Sequence, residues 1–317
     1  MSEKTPLVSI ILPTFNRADL VLESIHSVLG QTYKNFELIV IDDGSVDNTR
    51  ELLSPLVEEG LLTYAYQENL GLPAARNHGI RLANGSLISF LDSDDLYLPE
   101  KLEKQVAYFD KHPDAQVLQC WFTKFSEESA DLGVRDTSWF EGKIYPEILT
   151  QWSVLMAVAS VMLRSGVIEK VGPFNESLRW GEDLDLWRRV ARHFPFHMIP
   201  ESLVRIRAHD SSMSSDKREG ARGFAVVLEQ AFQDDESLSP EFKRRAWARM
   251  YTNVAHNLLG QGPREQMKLV RKYSLKALAR EPLSLGAMIA YPASLLPFPL
   301  RMWLIERLRR LRYPATR

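Results

Sequence analysis

Cysteine is almost missing from this 317-residue chain, Cys120 being the only one. A single thiol excludes an intramolecular disulfide and any cysteine-rich zinc site, and it suits a reducing, cytoplasmic setting. Neither sign of charge is in excess: the formal net charge is -2, which gives no global attraction to nucleic acid. Met1 to Pro6 lack the basic flank and small-residue cleavage site of a secretory signal peptide, so export by that route is not expected. Glycine is missing where common nucleotide folds require it. No G-x-G-x-x-G follows the first apolar run and no G-x-x-x-x-G-K-[ST] occurs, which argues against a dinucleotide dehydrogenase and a P-loop enzyme. Internal repeats and low-complexity tracts are absent too.

What is present is a chain long enough for one α/β domain of about 200 to 250 residues plus an appendage. Val8 to Leu12 is a β-branched apolar run stopped by Pro13 and reads as a buried strand, with Asn16 beyond it as a helix cap. Val21, Ile25 and Val28 line one face of the helix that follows, and Phe36 to Ile41 forms a second buried strand. Asp47 is placed as the cap of a short helix to Glu58. Leu61 to Tyr66, Ala74 to Leu82 and Leu87 to Leu91 then read as strand, helix and strand. This alternation predicts the α/β class, with a mainly parallel sheet covered by helices on both faces.

A helix over Pro99 to His112 and a strand near Val117 to Phe122 continue the domain, and Ser126 to Ser138 reads as a polar loop. Asp210 to Ser215 is a further small polar loop. From about Asp216 the pattern is helical, with breaks near Ser239-Pro240, Gly260 to Pro263 and Glu281-Pro282. The expected organisation is a catalytic domain over 1–215 and a helical C-terminal region over 216–317.

In a doubly wound sheet, ligands sit beyond the carboxyl ends of the strands. Here those ends are polar: Thr14 to Asn16, Asp42 to Ser45, and Asp92 to Asp95. Asp92-Ser93-Asp94-Asp95 offers oxygen ligands suited to a hard divalent cation, which would bridge diphosphate oxygens and lower the cost of charge on a leaving group. Alone, an acidic run is as well read as a loop or a helix cap. An EF-hand is disfavoured because the sixth and twelfth loop positions lack glycine and glutamate. Asp42-Asp43-Gly44-Ser45 is either a tight turn or an acceptor for a nucleobase N–H.

Trp180-Gly181-Glu182-Asp183 opens a helix whose Leu184, Trp187 and Val190 form a buried face, so its carboxylates are either caps or a base beside an acceptor hydroxyl. His209, after Arg205 and Arg207, is either a metal or diphosphate contact or an ordinary surface histidine.

Taken in order, these segments resemble glycosyltransferase family 2, the large inverting family built on the A-type glycosyltransferase fold. The resemblance rests on Val8 to Asn16 (P-T-F-N), Gln31 to Tyr33 (Q-T-Y), Asp42 to Ser45 (D-D-G-S), Asn69 to Asn77 (N-x-G-x-x-x-A-R-N), Asp92 to Asp94 (D-x-D) and Glu182-Asp183. It covers roughly residues 7 to 210, and the ordered series is far more specific than any one member. The resemblance implies a nucleotide site of Pro13, Thr14, Asn16, Asp43 and Ser93, with Arg76 near the diphosphate. It implies Mn2+ or Mg2+ on Asp94 and Asp92, joined by His209, with Asp183 as base and Glu182 orienting the acceptor.

The expected activity is metal-dependent inverting transfer of a sugar from a nucleotide diphosphate, with uridine as the default base, to a hydroxyl of a glycan or lipid-linked glycan. Surface polysaccharide synthesis is the expected setting. Two other readings stand beside it: a sugar nucleotidyltransferase, disfavoured because Leu12 to Arg17 has no glycine, and a catalytically silent sugar-nucleotide binder.

The tail adds a partner. Pro282 to Leu300 has no charged residue, while Arg301, Arg307, Arg309, Arg310, Arg312 and Arg317 follow. Pro292, Pro297 and Pro299 oppose a spanning helix. A peripheral contact with an anionic membrane through Leu304, Leu308 and Leu311, with Trp303 at the edge, is therefore expected at the inner face of the cell membrane; the alternative is that the tail packs on the catalytic domain or on a second subunit.

Overall fold

A computed structural model describes residues 5–126, 129, 132–135, 141–150, 157–209, 217–259 and 264–312. By compactness the chain divides into Met1–Pro146 with Val154–Ser212, and Glu147–Ser153 with Met213–Arg317.

The first unit opens with β1 (Val8–Thr14), α1 (Val21–Leu29), β2 (Phe36–Asp42), α2 (Thr49–Glu58), β3 (Thr63–Tyr66), α3 (Leu72–Leu82) and β4 (Leu87–Phe90). Each successive strand pairs in parallel, in the order β3-β2-β1-β4. Side chains alternate between two covered faces, which is why every residue of β1 is buried and most are apolar. Val8, Ile10 and Leu12 pack in one core cluster with Val21, Ile25 and Val28 of α1. Ile11 faces the other way, against Gly79 of α3, while Ile39 and Ile41 of β2 pack with Ala75.

Beyond these come β5 (Leu96–Tyr97), α4 (Lys101–Lys111), β6 (Val117–Phe125), β7 (Val134–Arg135), β8 (Met162–Arg164), α5 (Ser165–Val171), α6 (Glu182–Ala191) and β9 (Phe196–Arg207). The order continues β4-β8-β6-β9-β5, with β7 on β6. β8 runs antiparallel to β4 and β6, whereas β6 and β9 are parallel. The sheet is thus parallel from β3 to β4 and mixed beyond.

Several sequence expectations shift. Asn16 does not cap α1, which begins at Val21 after Leu20. It takes a left-handed backbone instead (φ 50) and its side chain accepts from the Val46 amide. The third helix starts at Leu72 rather than Ala74, with Pro73 in its first turn, where the missing N–H costs nothing. The stretch Ser126 to Ser138 includes β7, and Asp210 to Ser215 lies outside the described residues.

The second unit holds α7 (Lys217–Asp234), α8 (Pro240–Leu259), α9 (Arg264–Leu278), α10 (Leu285–Ala293) and α11 (Phe298–Arg312). Tyr251 of α8 stacks between Trp247 and Tyr273 at 5.5 and 5.9 Å. A 3-10 turn at Glu147–Thr150 also belongs here rather than to the catalytic domain where the sequence put it, because Ile148 and Leu149 are buried and the turn packs on α8.

Candidate active site

The carboxyl ends of β1 and β2 lie level, with Thr14 opposite Asp42. The two loops that leave them are stitched together. Asn16 N–H donates to Ser45 Oγ, Val46 N–H to Asn16 Oδ1, Ala18 N–H to Asp47 Oδ2 and Asp43 N–H to the Thr14 carbonyl. The N-cap of α2 is Asn48 rather than Asp47, which lies one position ahead and accepts from the Thr49 amide and hydroxyl. Pro13 and Thr14 are buried, and Thr14 Oγ1 has no partner.

Asp43 is buried as well, and its carboxylate organises the loop ahead of α3. It accepts from Gln67 Nε2 at 2.7 Å, Leu70 N at 2.9 Å and Gly71 N at 2.8 Å. A carboxylate has about four acceptor sites, so only one direction remains for a ligand. Gly44 belongs to the same turn, at φ +87, and a Cβ there would stand 2.7 Å from the Asn69 amide nitrogen.

β4 delivers Asp92 to Asp95 to the same edge. Asp92 and Asp94 are partly exposed, Ser93 and Asp95 buried. Burial, with Asp94 and Asp92 as like-charged neighbours, pushes the Asp95 carboxyl well above the carboxylate range. Asp95 Oδ1 accepts from the Arg207 amide at 2.9 Å, Arg207 Nε donates to the Asp94 carbonyl at 3.0 Å, and His209 Nε2 lies 2.9 Å from Asp94 Oδ2. The end of β9 therefore closes over the acidic run, bringing His209 to Asp94 across 115 positions of sequence.

Arg76 joins the two acidic motifs. Its buried guanidinium donates from Nη2 to Asp92 Oδ1 at 2.7 Å and from Nη1 to Glu182 Oε1 at 2.9 Å. Burial alone would ease the proton off; Asp92 and Glu182 outweigh it and hold the group charged. Two carboxylates thus engage the arginine that the family resemblance sets near the diphosphate. Phe174 lies against it, 5.3 Å from the guanidinium carbon.

Glu182 and Asp183 begin α6 behind Gly181, whose φ of 77 favours glycine. Asp183 is half-buried, and Oδ1 accepts from the Leu184 amide at 2.7 Å. Burial and the adjacent Glu182 push its carboxyl up to about 7, against the pull of Arg76. A carboxylate poised there suits proton abstraction near neutral pH.

Thus Asp92, Arg76, Glu182 and Asp183 form one array, and Asp94 pairs with His209 beside it. Asp95, Arg207 and Phe174 were not singled out from sequence as site residues. Asp95 lies in the acidic run and Arg207 two positions before His209, but nothing local marks Phe174. Asn77 fixes it, donating to the Phe174 carbonyl and accepting from its amide, both at 2.9 Å.

The family model described as glycosyl transferase family 2 matches residues 9–171. An uncharacterized glycosyltransferase of Rickettsia typhi is 33% identical over 67% of this chain and 67% of its own length. One from Rickettsia felis is 34% identical over 63% of this chain but only 33% of its own, so the chain spans about a third of that relative. The putative teichuronic acid biosynthesis glycosyltransferase TuaG of Bacillus subtilis is 31% identical over 70% of this chain and 87% of its own. Among solved structures, S. aureus TarS 1-349 in complex with UDP-GlcNAc aligns with a TM-score of 0.63 at 19% identity, over 90% of each chain. The mannosyltransferase PcManGT from Pyrobaculum calidifontis, in complex with GDP-Man and Mn2+, aligns at 0.62 and 18%, over 99% of this chain and 89% of its own. At such identities the structural matches speak for the fold. On the family match and the curated relatives, this chain belongs to glycosyl transferase family 2 and is a glycosyltransferase.

Proposed function

We propose that the chain transfers a sugar from a nucleoside diphosphate donor to a hydroxyl of a glycan or lipid-linked glycan, with inversion and with help from a divalent cation. The observation that carries this reading is the array of Asp92, Arg76, Glu182 and Asp183 beside the paired Asp94 and His209. Uridine is the proposed base, supported by the UDP-GlcNAc complex of the structurally similar TarS; the GDP-Man complex of PcManGT is the case for guanosine. Pro13, Thr14, Asn16, Asp43 and Ser93 are the proposed nucleotide contacts, with the unpartnered Thr14 Oγ1 available to the ligand.

Among the described residues no three His, Cys, Asp or Glu groups form a ready cage. Asp94 and His209, with Asp92 alongside, are an open oxygen and nitrogen set, which fits a hard cation that takes its other ligands from diphosphate and water. Bound Mn2+ or Mg2+ would supply charge neutralisation at the departing diphosphate. Asp183 takes the proton of the acceptor hydroxyl, whose oxygen forms the new bond to the anomeric carbon as the bond to the diphosphate oxygen breaks on the opposite side. Glu182, fixed by Arg76, orients the acceptor. Surface polysaccharide synthesis is the proposed setting, supported by the teichuronic acid biosynthesis given for TuaG, and the inner face of the membrane is the proposed place on the strength of the basic tail alone.

The test is donor turnover with product analysis across UDP- and GDP-sugars, with and without chelator. Free nucleoside diphosphate plus a glycosylated acceptor of inverted configuration is the expected outcome. Asp94→Asn should abolish the metal-dependent part while the fold melts normally; full wild-type turnover in that variant or in chelator would remove the metal from this account.

A further inference from the structure

α10 turns its alanines inward and leaves Leu285 and Met288 outside. Its buried face is Ala287, Ala290 and Ala293, and Gly286 lies so close to α8 that a Cβ there would stand 2.6 Å from Thr252 Cγ2. Leu285 and Met288 are exposed on the other side, and the chain leaves the helix through Leu295, itself 63% exposed. The first turns of α11 add Phe298, Leu300 and Trp303, the last 58% exposed. A surface helix normally turns its bulky apolar residues to the core; an exposed run of them marks an interaction surface.

The surrounding charge selects the partner. No charged residue occurs from Pro282 to Leu300, and beyond Arg301, which is buried, the chain carries Arg307, Arg309, Arg310, Arg312 and Arg317 against Glu306 alone. An isologous dimer through this surface would bring two arginine-rich segments together. An anionic bilayer instead offers acyl chains to the apolar residues and phosphates to the arginines. None of the described helices is long and apolar enough to cross a membrane, so the segment would lie in the interface.

We propose that the α10–α11 surface docks this protein onto an anionic lipid bilayer, inserting Leu285, Met288, Leu295, Phe298, Leu300 and Trp303. This differs from the face expected from sequence. Leu304 is partly buried, the side chains of Leu308 and Leu311 fall outside the described residues, and the exposed apolar surface begins earlier and extends back into α10. The proposal sharpens the membrane setting given above but does not depend on the chemistry at Asp183.

Flotation of the full chain with vesicles of phosphatidylcholine, alone or mixed with phosphatidylglycerol, tests it. Wild type should float with the anionic vesicles at low salt and release at high salt. The combined variant Leu295→Ser, Phe298→Ser, Trp303→Ser should lose binding about 10-fold or more. Arg307→Gln with Arg310→Gln should weaken anionic binding by roughly five-fold per charge. Trp303→Phe provides a gentler measurement: bromine-labelled lipid should quench a part of wild-type tryptophan emission that this variant lacks. Absence of flotation, equal flotation of the serine variant, or a lipid-free dimer that the serine variant dissociates would overturn the proposal. Transfer to a soluble acceptor should be unchanged in all these variants, which separates failure of docking from failure of the transferase reading.

Discussion

Asp183 and Glu182 are adjacent carboxylates with different surroundings, and the roles proposed for them rest on that difference. Arg76 takes the charge of Glu182, while Asp183 is pushed up to about 7. As the base, Asp183 must be deprotonated, so the transfer rate of the wild type should rise with pH through about 7 and level off above it. Asp183→Asn should lower transfer about 10²-fold or more without loss of donor binding. Glu182→Gln removes a negative neighbour and leaves the Arg76 charge less neutralised, so the inflexion should move to lower pH. An unmoved inflexion in Glu182→Gln, or normal transfer in Asp183→Asn, would exchange or dismiss these roles.

At the scale of elements, α3 is the brace of the site. Its Arg76 reaches Asp92 and Glu182, and its Asn77 holds Phe174. The helix must approach β1 closely for this, and Gly79 allows it. In an exposed helix Gly→Ala gains about 1 kcal/mol, but at Gly79 the new Cβ would stand 2.4 Å from Ile11 Cγ2. Overpacking of this kind costs about 1–3 kcal/mol, so Gly79→Ala should lower the thermal midpoint rather than raise it. Asn77→Ala should also destabilise, by about 1–3 kcal/mol for each backbone group of Phe174 left unpaired. Transfer should fall with it, because Phe174 lies against Arg76; denaturant titration alongside initial rates checks both.

For the molecule as a whole, raised carboxyls and a lowered ammonium bend the pH dependence of stability in opposite directions, Asp95 acting in the same sense as Asp183. The native state holds a proton on Asp183 up to about 7, above the ordinary aspartate value of 3.8. Between those values the native form binds more protons than the unfolded chain, so this contribution falls as pH rises. Lys101 is the converse. Its ammonium is buried, donating to Ser89 Oγ and Gln105 Oε1 and lying 4.0 Å from the Tyr97 ring centroid. Burial pushes it down to about 7 from 10.5. Between those values the unfolded chain binds more protons, so this contribution rises with pH. Together they predict a minimum near pH 7. Asp183→Asn should flatten the acid side and Lys101→Met the alkaline side in chemical denaturation series; unchanged slopes would show that neither group titrates abnormally.

The sequence by itself determined the strand and helix succession from β1 to β4 and then α4 and β6, because strands in a covered sheet are largely apolar and the intervening helices carry an apolar stripe. It also located the acidic motifs, since polar residues after such strands have no core role to explain them. Tertiary structure alone decided the rest. That Arg76 meets Asp92 and Glu182 rather than standing open, that Asp43 orders the Gln67–Gly71 loop, and that His209 reaches Asp94 all depend on contacts between segments far apart in sequence, which periodicity and local propensity do not encode. The same holds for α10. Its composition announces an apolar helix, but only packing against α8 shows that the alanines face inward and leave Leu285 and Met288 outside.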